Sequence, residues 1–427
     1  MLNIRRIREQ TEDVKSGLAR RGEDPSVIDQ LVAWDGERRA LLQESESLKA
    51  ERNRTSKTIG AAKDREAMSA LREQMRAVGQ RIKSLDSDVA EIEQRISAAV
   101  LEIPNVPHTS VPSGTTEEEN LVHAEWGDRP QFGFEPKAHW DIGAALDILD
   151  FPRGAKIAGA QFPLFKGDGS RLLRSLANWM LDLHVQKHGY QEVWPPFVVR
   201  REVMTGTGQL PKFEDDMYRT DPDDLFLVPT AEVPVTNIHR DEILDAAQLP
   251  LKYTAYTPCF RREAGAAGKD TRGLLRLHQF EKIEMVKFVA PETSYDELET
   301  LRDDAEAVLQ QLELPYRVLE LCGGELGFAA TKCYDLEVWC PGIEKWQEVS
   351  SCSNFEDFQA RRINVRYRPS AQARPEFVHT LNGSGLAFSA RLYAAVLENN
   401  QQPDGSVIIP AVLRPYLGGM ERISSSG

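Results

Sequence analysis

Residues 259–280 carry the clearest pattern in the chain and read Cys259-Phe-Arg-Arg-Glu-Ala-Gly-Ala-Ala-Gly-Lys-Asp-Thr-Arg-Gly273, then Leu-Leu-Arg-Leu-His-Gln-Phe280. This pattern predicts a strand, a glycine-rich loop and a second strand. Alternation along the first strand places Arg261 and Glu263 on one face, where a guanidinium can meet a phosphate. Lys269 and Arg272 of the loop add cations for a further polyanion. An ordinary β-hairpin with a polar loop is the alternative interpretation.

The totals limit the possible classes of protein. A chain of 427 residues is too long for one ordinary core, so we expect two or three domains. No stretch approaches the roughly 18 consecutive apolar residues of a membrane span, and the charged start, Arg5 to Arg8, does not fit a secretory signal, which predicts a cytoplasmic protein. The net charge of -14 argues against indiscriminate coating of nucleic acid. We expect no DNA partner, and any RNA contact must be local.

The five cysteines lack close CxxC spacing and are odd in number. This favours reduced thiols over disulfides or a zinc site.

A heptad pattern predicts a coiled-coil arm over residues 26–100 or so. Its stronger half has apolar positions spaced alternately by four and three, with a final step of four: Leu71, Met75, Val78, Ile82, Leu85, Val89, Ile92, Ile96 and Val100. A weaker upstream seam through Leu31, Trp34, Leu41, Leu48 and Ile59 is interrupted by Ser45, Arg52 and Thr55. Because the link from Gly60 to Asp64 is short, the helices are predicted to pair antiparallel, over about 50 Å.

Positive charge is concentrated in the distal half of this predicted arm. From Lys49 to Lys83 there are ten lysines and arginines against four acids, a net charge of +6. A solvated coiled-coil face is the usual meaning of such a run, and RNA binding is the alternative.

Composition and periodicity also predict the domain boundaries. The hairpin closes with Ile103-Pro-Asn-Val-Pro107, and a Pro, Ser, Gly and acidic stretch comes next. We therefore place the first domain at 1–103, an extended linker at 104–120 and the second domain at 121–427. Apolar runs at 192–199 and 275–289 predict strands and 294–312 a helix, which indicates an α+β domain on a largely antiparallel sheet.

Residues 259–280 resemble the second signature motif of class II aminoacyl-tRNA synthetases, in the form of bacterial-type seryl-tRNA synthetases. Gly189-Tyr-Gln-Glu-Val-Trp-Pro-Pro196 resembles the first motif, and Leu381-Asn-Gly-Ser384 through Arg391 the third. Thr230-Ala-Glu232, Lys282-Ile-Glu284 and Glu348-Val-Ser-Ser351 resemble the serine and ATP sites of that family. The likeness covers essentially the whole chain. It implies an antiparallel-sheet catalytic domain at 121–427 and an N-terminal tRNA-binding domain at 1–103.

The resemblance implies a serine–tRNA ligase, which activates L-serine with ATP to seryl-adenylate and transfers serine to the 3′ end of tRNA(Ser), with tRNA(Sec) left open as a second acceptor. In-line attack by the serine carboxylate on the α-phosphate needs positioning and charge stabilisation more than a base. The implied catalytic residues are Arg261, at the α-phosphate and serine carboxylate, and Arg391, at the far phosphate end. Phe280 would stack on adenine, although an isolated Phe in a strand is more often core.

The resemblance also implies which residues bind each substrate. Serine would contact Thr230, Ala231, Glu232, Arg261, Glu284 and Ser384. ATP would contact Arg261, Arg262, Glu263, Phe280, Glu348, Val349, Ser350, Ser351 and Arg391. Mg²⁺, which prefers hard oxygen ligands, would be held with ATP by Glu348 and Ser351. A structural salt bridge with Lys282 or Lys287 is the alternative for Glu284.

The family's first motif lies at a dimer interface, so the resemblance also implies a homodimer. On the arm and the glycine-rich loop, the expected tRNA contacts are Lys49, Arg52, Arg54, Lys57, Arg72, Arg76, Lys269 and Arg272.

The sequence departs from the family pattern in three places. One residue is added between Ser384 and Arg391, Glu325 stands where aspartate is usual, and Trp346-Gln347 precedes Glu348. An insertion inside a helix would rotate every later helical residue by about 100°, so we expect a bulge before the helix that leaves Arg391 facing ATP. Two alternatives to the housekeeping enzyme stay open: a specialised paralogue, such as a biosynthetic seryl donor or an inhibitor-resistant copy, and an inactive RNA-binding regulator.

Overall fold

The computed structural model describes residues 1–61, 65–264 and 272–425, with the backbone alone at 58–61 and 65–67. Contacts divide the chain into two compact units, Met1–Val106 and Pro107–Gly427. Among the described residues, no helix combines the length and the apolar character needed to cross a bilayer.

The first unit is helical. Its elements are α1 (Ile4–Glu9), α2 (Thr11–Arg20), α3 (Ser26–Ala61) and α4 (Arg65–Leu101). The predicted heptad seam is confirmed on α4, where the side chains from Ile82 to Val100 at seam positions are buried and Leu71, Met75 and Val78 are half-buried. The helices pair antiparallel, because Arg38 bonds Glu93 whereas Ser45, further along α3, bonds Asp86. The residues at the predicted link, 62–64, lie outside the described residues.

A polar contact replaces apolar packing where the α3 seam is interrupted. The Ser45 hydroxyl is buried and donates to Asp86 Oδ1 at 2.9 Å, and the Lys49 ammonium donates to the same oxygen at 2.9 Å. These bonds depress the pKa of Asp86, with Lys49 the larger cause. The break in the apolar pattern therefore marks a specific pairing of the two helices at this level.

The second unit is built on an eight-stranded sheet with the order β1-β9-β10-β11-β14-β8-β7-β2. Every neighbouring pair is antiparallel except β2 and β7 at one edge, which confirms the predicted fold class. The sheet strands are β1 (Leu121–Trp126), β2 (Gln191–Glu192), β7 (Leu251–Phe260), β8 (Gln279–Val289), β9 (Tyr316–Glu320), β10 (Lys332–Cys340), β11 (Lys345–Asn354) and β14 (His379–Ser384). The remaining short strands are β3 (Val198–Arg200), β4 (Arg219–Thr220), β5 (Leu225–Leu227), β6 (Ile243–Asp245), β12 (Arg366–Arg368), β13 (Glu376–Phe377), β15 (Val407–Ile408) and β16 (Arg422–Ile423).

Helices of the second unit flank this sheet. They are α5 (His139–Ala145), α6 (Phe151–Ala158), α7 (Gly167–Gln186), α8 (Arg201–Thr207), α9 (Glu232–Thr236), α10 (Ser294–Gln311), α11 (Phe358–Ile363) and α12 (Arg391–Asn399). The main core forms where α7, α10 and α12 pack on the sheet, around side chains such as Leu176, Leu301 and Leu397. Residues 107–120 belong to this unit, where Val111 packs in a small cluster with Leu319 and Leu321.

Three predicted strands differ in extent from the structure. The strand expected to carry Arg261 and Glu263 on one face is shorter, since β7 ends at Phe260 and Glu263 has a φ of 51°. The run from Leu275 was expected to form strand, but β8 begins at Gln279. Leu274 N donates instead to the buried His139 Nε2 at 3.0 Å, and the leucines of this segment fill the core rather than a ladder. The run 192–199 is divided into β2 and β3, because Pro195 and Pro196 cannot donate to a sheet.

A buried carboxylate ties distant parts of this unit together. Glu398 of α12 is fully buried; its Oε1 accepts from the N and Nδ1 of His139, at 2.9 and 2.7 Å, and its Oε2 accepts from Gly342 N at 2.8 Å. Since Leu274 N donates to His139 Nε2, the ring proton lies on Nδ1 and faces Glu398. Helix α12, α5, the β10–β11 turn and the end of the glycine-rich loop are thereby held in one arrangement.

Candidate active site

A cavity of about 630 Å³ opens on the sheet where β8, β11 and β14 lie side by side. It brings together most of the predicted serine and ATP residues, from segments far apart in sequence: Thr230, Glu232, Arg261, Glu263, Phe280, Glu284, Glu348, Val349, Ser350, Ser351, Ser384 and Arg391. Two predicted residues do not line it. Ala231 is buried in a separate core cluster, and Arg262 is exposed and donates to Asp215 O at 3.0 Å.

Strand register explains why these residues meet. Phe280, Lys282 and Glu284 alternate along β8, so their side chains share the face that the cavity covers. Ser384 on β14 lies directly opposite Glu284 in the ladder. The Ser384 hydroxyl has no hydrogen-bond partner among the described residues although it is buried. A buried hydroxyl left open beside a carboxylate is suited to a small polar ligand.

One end of the cavity holds a connected polar network. Thr230 Oγ1 donates to Glu284 Oε2 at 3.0 Å and accepts from the Lys282 ammonium at 2.8 Å and from Glu232 N at 3.2 Å. Lys282 also forms an ion pair with Glu284. The salt bridge that the sequence left as the alternative for Glu284 is therefore present, but it lies inside the cavity wall.

Glu232 is the second carboxylate at this end. Its Oε1 accepts from Gln359 Nε2 at 2.6 Å, and Gln359 is in turn held by Thr380 and by Thr207 O. Burial raises the pKa of Glu232 to about 7, and the nearby Glu284 adds to the effect. An added cation between the two carboxylates would stabilise the ionised form.

Cations and an aromatic ring occupy the wall formed by the two motif strands. The Arg261 guanidinium lies 5.1 Å from the centroid of the Phe280 ring, which is buried apart from a small exposed fraction facing the cavity. Glu263 adopts the left-handed region, with φ of 51°, and its Oε2 accepts from Arg276 Nη1 at 2.7 Å. Arg276 thus joins the cavity wall, a place that the sequence did not indicate.

Of the two predicted loop cations, the structure describes Arg272, which does not line this cavity. Arg272 is exposed, with its guanidinium 4.4 Å from the Trp140 ring centroid and 3.9 Å from Asp141 Oδ1. Lys269 lies outside the described residues.

Hard oxygen ligands line the other end of the cavity. Glu348 Oε2 accepts from Arg391 Nη1 at 3.2 Å and its side chain is half exposed. The Ser351 hydroxyl donates to Asp335 Oδ1. Burial raises the pKa of Asp335 well above the usual range of an aspartate, and the Glu348 carboxylate adds to this shift. Because Ser351 uses its only proton on Asp335, it presents lone pairs to a cation.

The segment between Ser384 and Arg391, where the sequence analysis places one added residue, precedes the helix of the third motif. Helix α12 begins at Arg391, and Leu386 in the preceding turn takes a φ of 101°, a backbone conformation rare for a bulky side chain. Two hydrogen bonds hold this turn against β8. Ile283 N donates to Leu386 O, and Glu281 N donates to Ser389 Oγ. Arg391 accordingly lines the cavity and bonds Glu348.

Several cavity residues were not predicted from the sequence. Asp335 lines the cavity, and Gln359, which does not line it, donates to Glu232; both sit in segments without a recognised motif, and only tertiary contact reveals them. A second cavity of about 570 Å³ shares Arg276, Asp335 and Glu348 with the first. The unusual Glu325 lines both cavities, and Trp346 and Gln347 line the second. These departures from the family pattern thus lie at the site's periphery.

Comparison with known proteins agrees with this geometry. A profile for the seryl-tRNA synthetase N-terminal domain matches residues 1–107, and one for the tRNA synthetase class II core domain (G, H, P, S and T) matches residues 212–400. A serine–tRNA ligase of Geobacter sulfurreducens is 58% identical over 423 residues, covering 99% of this chain and 100% of that protein. One from a Roseiflexus species is 59% identical, covering 99% of both.

A solved structure gives the same result. The crystal structure of seryl-tRNA synthetase from Pyrococcus horikoshii complexed with ATP is 39% identical, with a TM-score of 0.96 and complete coverage of both chains. The chain belongs to the seryl-tRNA synthetase family of class II aminoacyl-tRNA synthetases.

Proposed function

We propose that the cavity activates L-serine with ATP and then transfers the seryl group to the 3′ end of tRNA(Ser). The observation that carries this proposal is the division of the cavity into two chemically distinct ends. Glu232, Glu284 and the open Ser384 hydroxyl suit a small molecule with an ammonium group and a hydroxyl. Arg261, Phe280 and Arg391 suit a nucleotide with its phosphates.

Each end has a role in activation. Arg261 follows the last residue of β7 and lines the cavity, where its guanidinium would pair with the serine carboxylate and stabilise charge on the α-phosphate. Arg391 would hold the far phosphates, while Glu263 contacts the nucleotide and Phe280 stacks on adenine. In-line attack then depends on positioning, and no side chain has to remove a proton from the already ionised serine carboxylate.

Selection of serine depends on the polar end. Ser384 would bond the serine hydroxyl, while Glu284 and Glu232 attract the ammonium group. Alanine would leave the buried Ser384 hydroxyl unpaired, whereas threonine, which keeps a hydroxyl group, would have to be refused by the size of the pocket.

Mg²⁺ fits the donor set at the phosphate end. Glu348 offers a half-exposed carboxylate and Ser351 a hydroxyl whose proton is committed to Asp335. Such hard oxygens are the ligands that Mg²⁺ prefers, and the ion would neutralise phosphate charge. Val349 and Ser350 line the cavity between them and complete the ATP contacts.

We assign tRNA binding to the exposed cations of the arm. Four of these cations have exposed side chains: Arg54, Lys57, Arg72 and Arg76. Arg52 is half-buried, and Lys49 forms an ion pair with Asp86. The proposal places the arm at residues 26–100 of an N-terminal domain and the reaction in the domain from 121 onward. Lys63 and the side chain of Arg65, which contribute to the +6 charge, lie outside the part of the chain that the structure describes.

A cytoplasmic homodimer completes the proposal. The first motif and the strand β3 that follows it expose apolar side chains, Trp194 at 68% and Val198 at 43% exposure. Large exposed apolar side chains close together in sequence favour a protein interface. This surface is where we place the second copy of the chain.

Replacing either arginine tests the activation step. Arg261→Ala should lower serine-dependent ATP–pyrophosphate exchange by at least about 100-fold, and Arg391→Ala similarly, because each removes charge stabilisation at the phosphates. Arg262→Ala, whose side chain lies outside the cavity, is the matched control and should retain most of the activity. Near-normal exchange by Arg261→Ala would refute the assignment, and wild-type protein without exchange would indicate the inactive RNA-binding regulator.

The dependence of serine binding on pH tests Glu232. Its pKa of about 7 leaves the carboxyl group largely protonated below neutrality, and the ionised form attracts the serine ammonium. The KM for serine should therefore fall by about tenfold between about pH 6 and about pH 8. Glu232→Gln should raise this KM and remove the dependence. A serine KM that changes with pH equally in Glu232→Gln would show that another group titrates.

Removal of the arm separates activation from charging. Replacing residues 49–83 by a short turn should leave serine activation intact and abolish aminoacylation of tRNA, because the charged helices bind RNA shape and phosphates. Arg95→Ala is the control, since this exposed cation lies near the base of α4, outside the deleted part. Charging at normal efficiency by the shortened protein would mean that the hairpin is only a structural coiled coil.

A further inference from the structure

We infer that Lys282 is a positioning residue that fixes the orientation of Glu284 and so determines which carboxylate oxygen receives the amino group of serine. This inference rests on the proposed function and deepens it. The sequence analysis places Lys282 in a segment that resembles a substrate site, but gives the residue itself no role beyond that of a possible structural partner of Glu284. Its place in the cavity gives it a more specific role.

The hydrogen bonds made by Thr230 Oγ1 fix the direction of its hydroxyl proton. A hydroxyl group can donate once and accept twice. Lys282 Nζ at 2.8 Å and Glu232 N at 3.2 Å can only donate, so both acceptor positions of Thr230 Oγ1 are filled. The single Thr230 proton must then point to Glu284 Oε2, at 3.0 Å. Thr230 has no capacity left for a ligand and acts on Glu284.

The same bonds divide the two oxygens of Glu284 into different roles. Oε2 receives the Thr230 hydroxyl and the Lys282 ammonium. No hydrogen bond to Oε1 is present within the parts of the chain that the structure covers. Oε1 is therefore the oxygen offered to an incoming donor, and Lys282 and Thr230 together make the two oxygens unequal, with Lys282 supplying the charge.

Burial makes this division firm. The side chain of Glu284 is 2% exposed and that of Lys282 10%. A carboxylate so shielded from water costs free energy unless it is paired, and here one charge partner stands on the same strand face, two residues away. Serine would bring a second cation, so Glu284 and Glu232 together would balance the two positive charges.

Lys287 on the same strand shows how a purely structural buried lysine is held. Its ammonium donates to Glu297 Oε2 at 2.8 Å and to Thr300 Oγ1 at 2.6 Å, both on α10, which packs against the sheet. Lys287 is absent from the cavity lining, whereas Lys282 is part of it. The two lysines therefore form a matched pair that differs in access to the site.

The test is steady-state pyrophosphate exchange by Lys282→Met, Lys287→Met and the wild-type protein, with serine and ATP varied separately. For Lys282→Met we expect the KM for serine to rise by at least about 30-fold and the KM for ATP to change less than about threefold, because only the serine end loses its fixed acceptor. Lys287→Met should not change the KM for serine more than it changes the KM for ATP. If Lys282→Met does not fold, Lys282→Gln, which keeps one donor, should give a smaller selective rise.

A double-mutant cycle distinguishes action through Glu284 from an independent effect. If Lys282 acts through Glu284, adding Lys282→Met to Glu284→Gln should raise the serine KM by less than about threefold beyond Glu284→Gln alone. Three results would each overturn the inference: a serine KM in the double variant that rises by the product of the two single effects, an unchanged serine KM in Lys282→Met, or equal rises in the KM values for serine and ATP. Wild-type protein that fails to exchange with serine would instead refute the proposed function itself.

Discussion

The bonds made by the buried Glu398 carboxylate are the constraint on which the geometry of the catalytic unit depends. Its two oxygens accept three protons, from His139 twice and from Gly342. Because a fully buried carboxylate is tolerated only with such bonds, helix α12 has one position relative to α5 and the β10–β11 turn. The position of Arg391, in the first turn of α12, is fixed in this way. The segment that follows the glycine-rich loop is also fixed, since Leu274 N donates to the other ring nitrogen of His139.

With that framework fixed, the sheet supplies the chemistry. Alternation along β8 gives one strand an aromatic ring, a cation and a carboxylate in successive inward positions. The neighbouring β14 adds Ser384 directly opposite Glu284, and β11 adds Ser351 to the cavity lining. Burial raises the pKa of the carboxyl groups of Glu232 and Asp335, and an arriving cation lowers the cost of ionising them. Positive and negative groups are thus paired along the cavity wall, Lys282 with Glu284 and Arg391 with Glu348.

Much of the fold and site could be predicted from the sequence because the features that indicate them are local sequence patterns. The heptads on α4 require no tertiary information, and Phe280 and Glu284 were predicted from short segments that resemble the family's motifs. The features that escaped prediction depend on contact between distant segments. Asp335 and Gln359 become site residues only through Ser351 and Glu232, and β8 starts late because Leu274 finds its partner in His139. The roles of the site residues stay predictions that mutation must test.

The most direct test of the central claim is a crystal structure of the protein with a non-hydrolysable seryl-adenylate analogue. We expect the adenine ring on Phe280, the phosphate mimic beside Arg261, the ammonium group within about 3.2 Å of Glu284 Oε1, and the seryl hydroxyl within the same distance of Ser384 Oγ. An analogue bound with its amino group away from both Glu284 and Glu232, or bound outside the cavity, would contradict that claim.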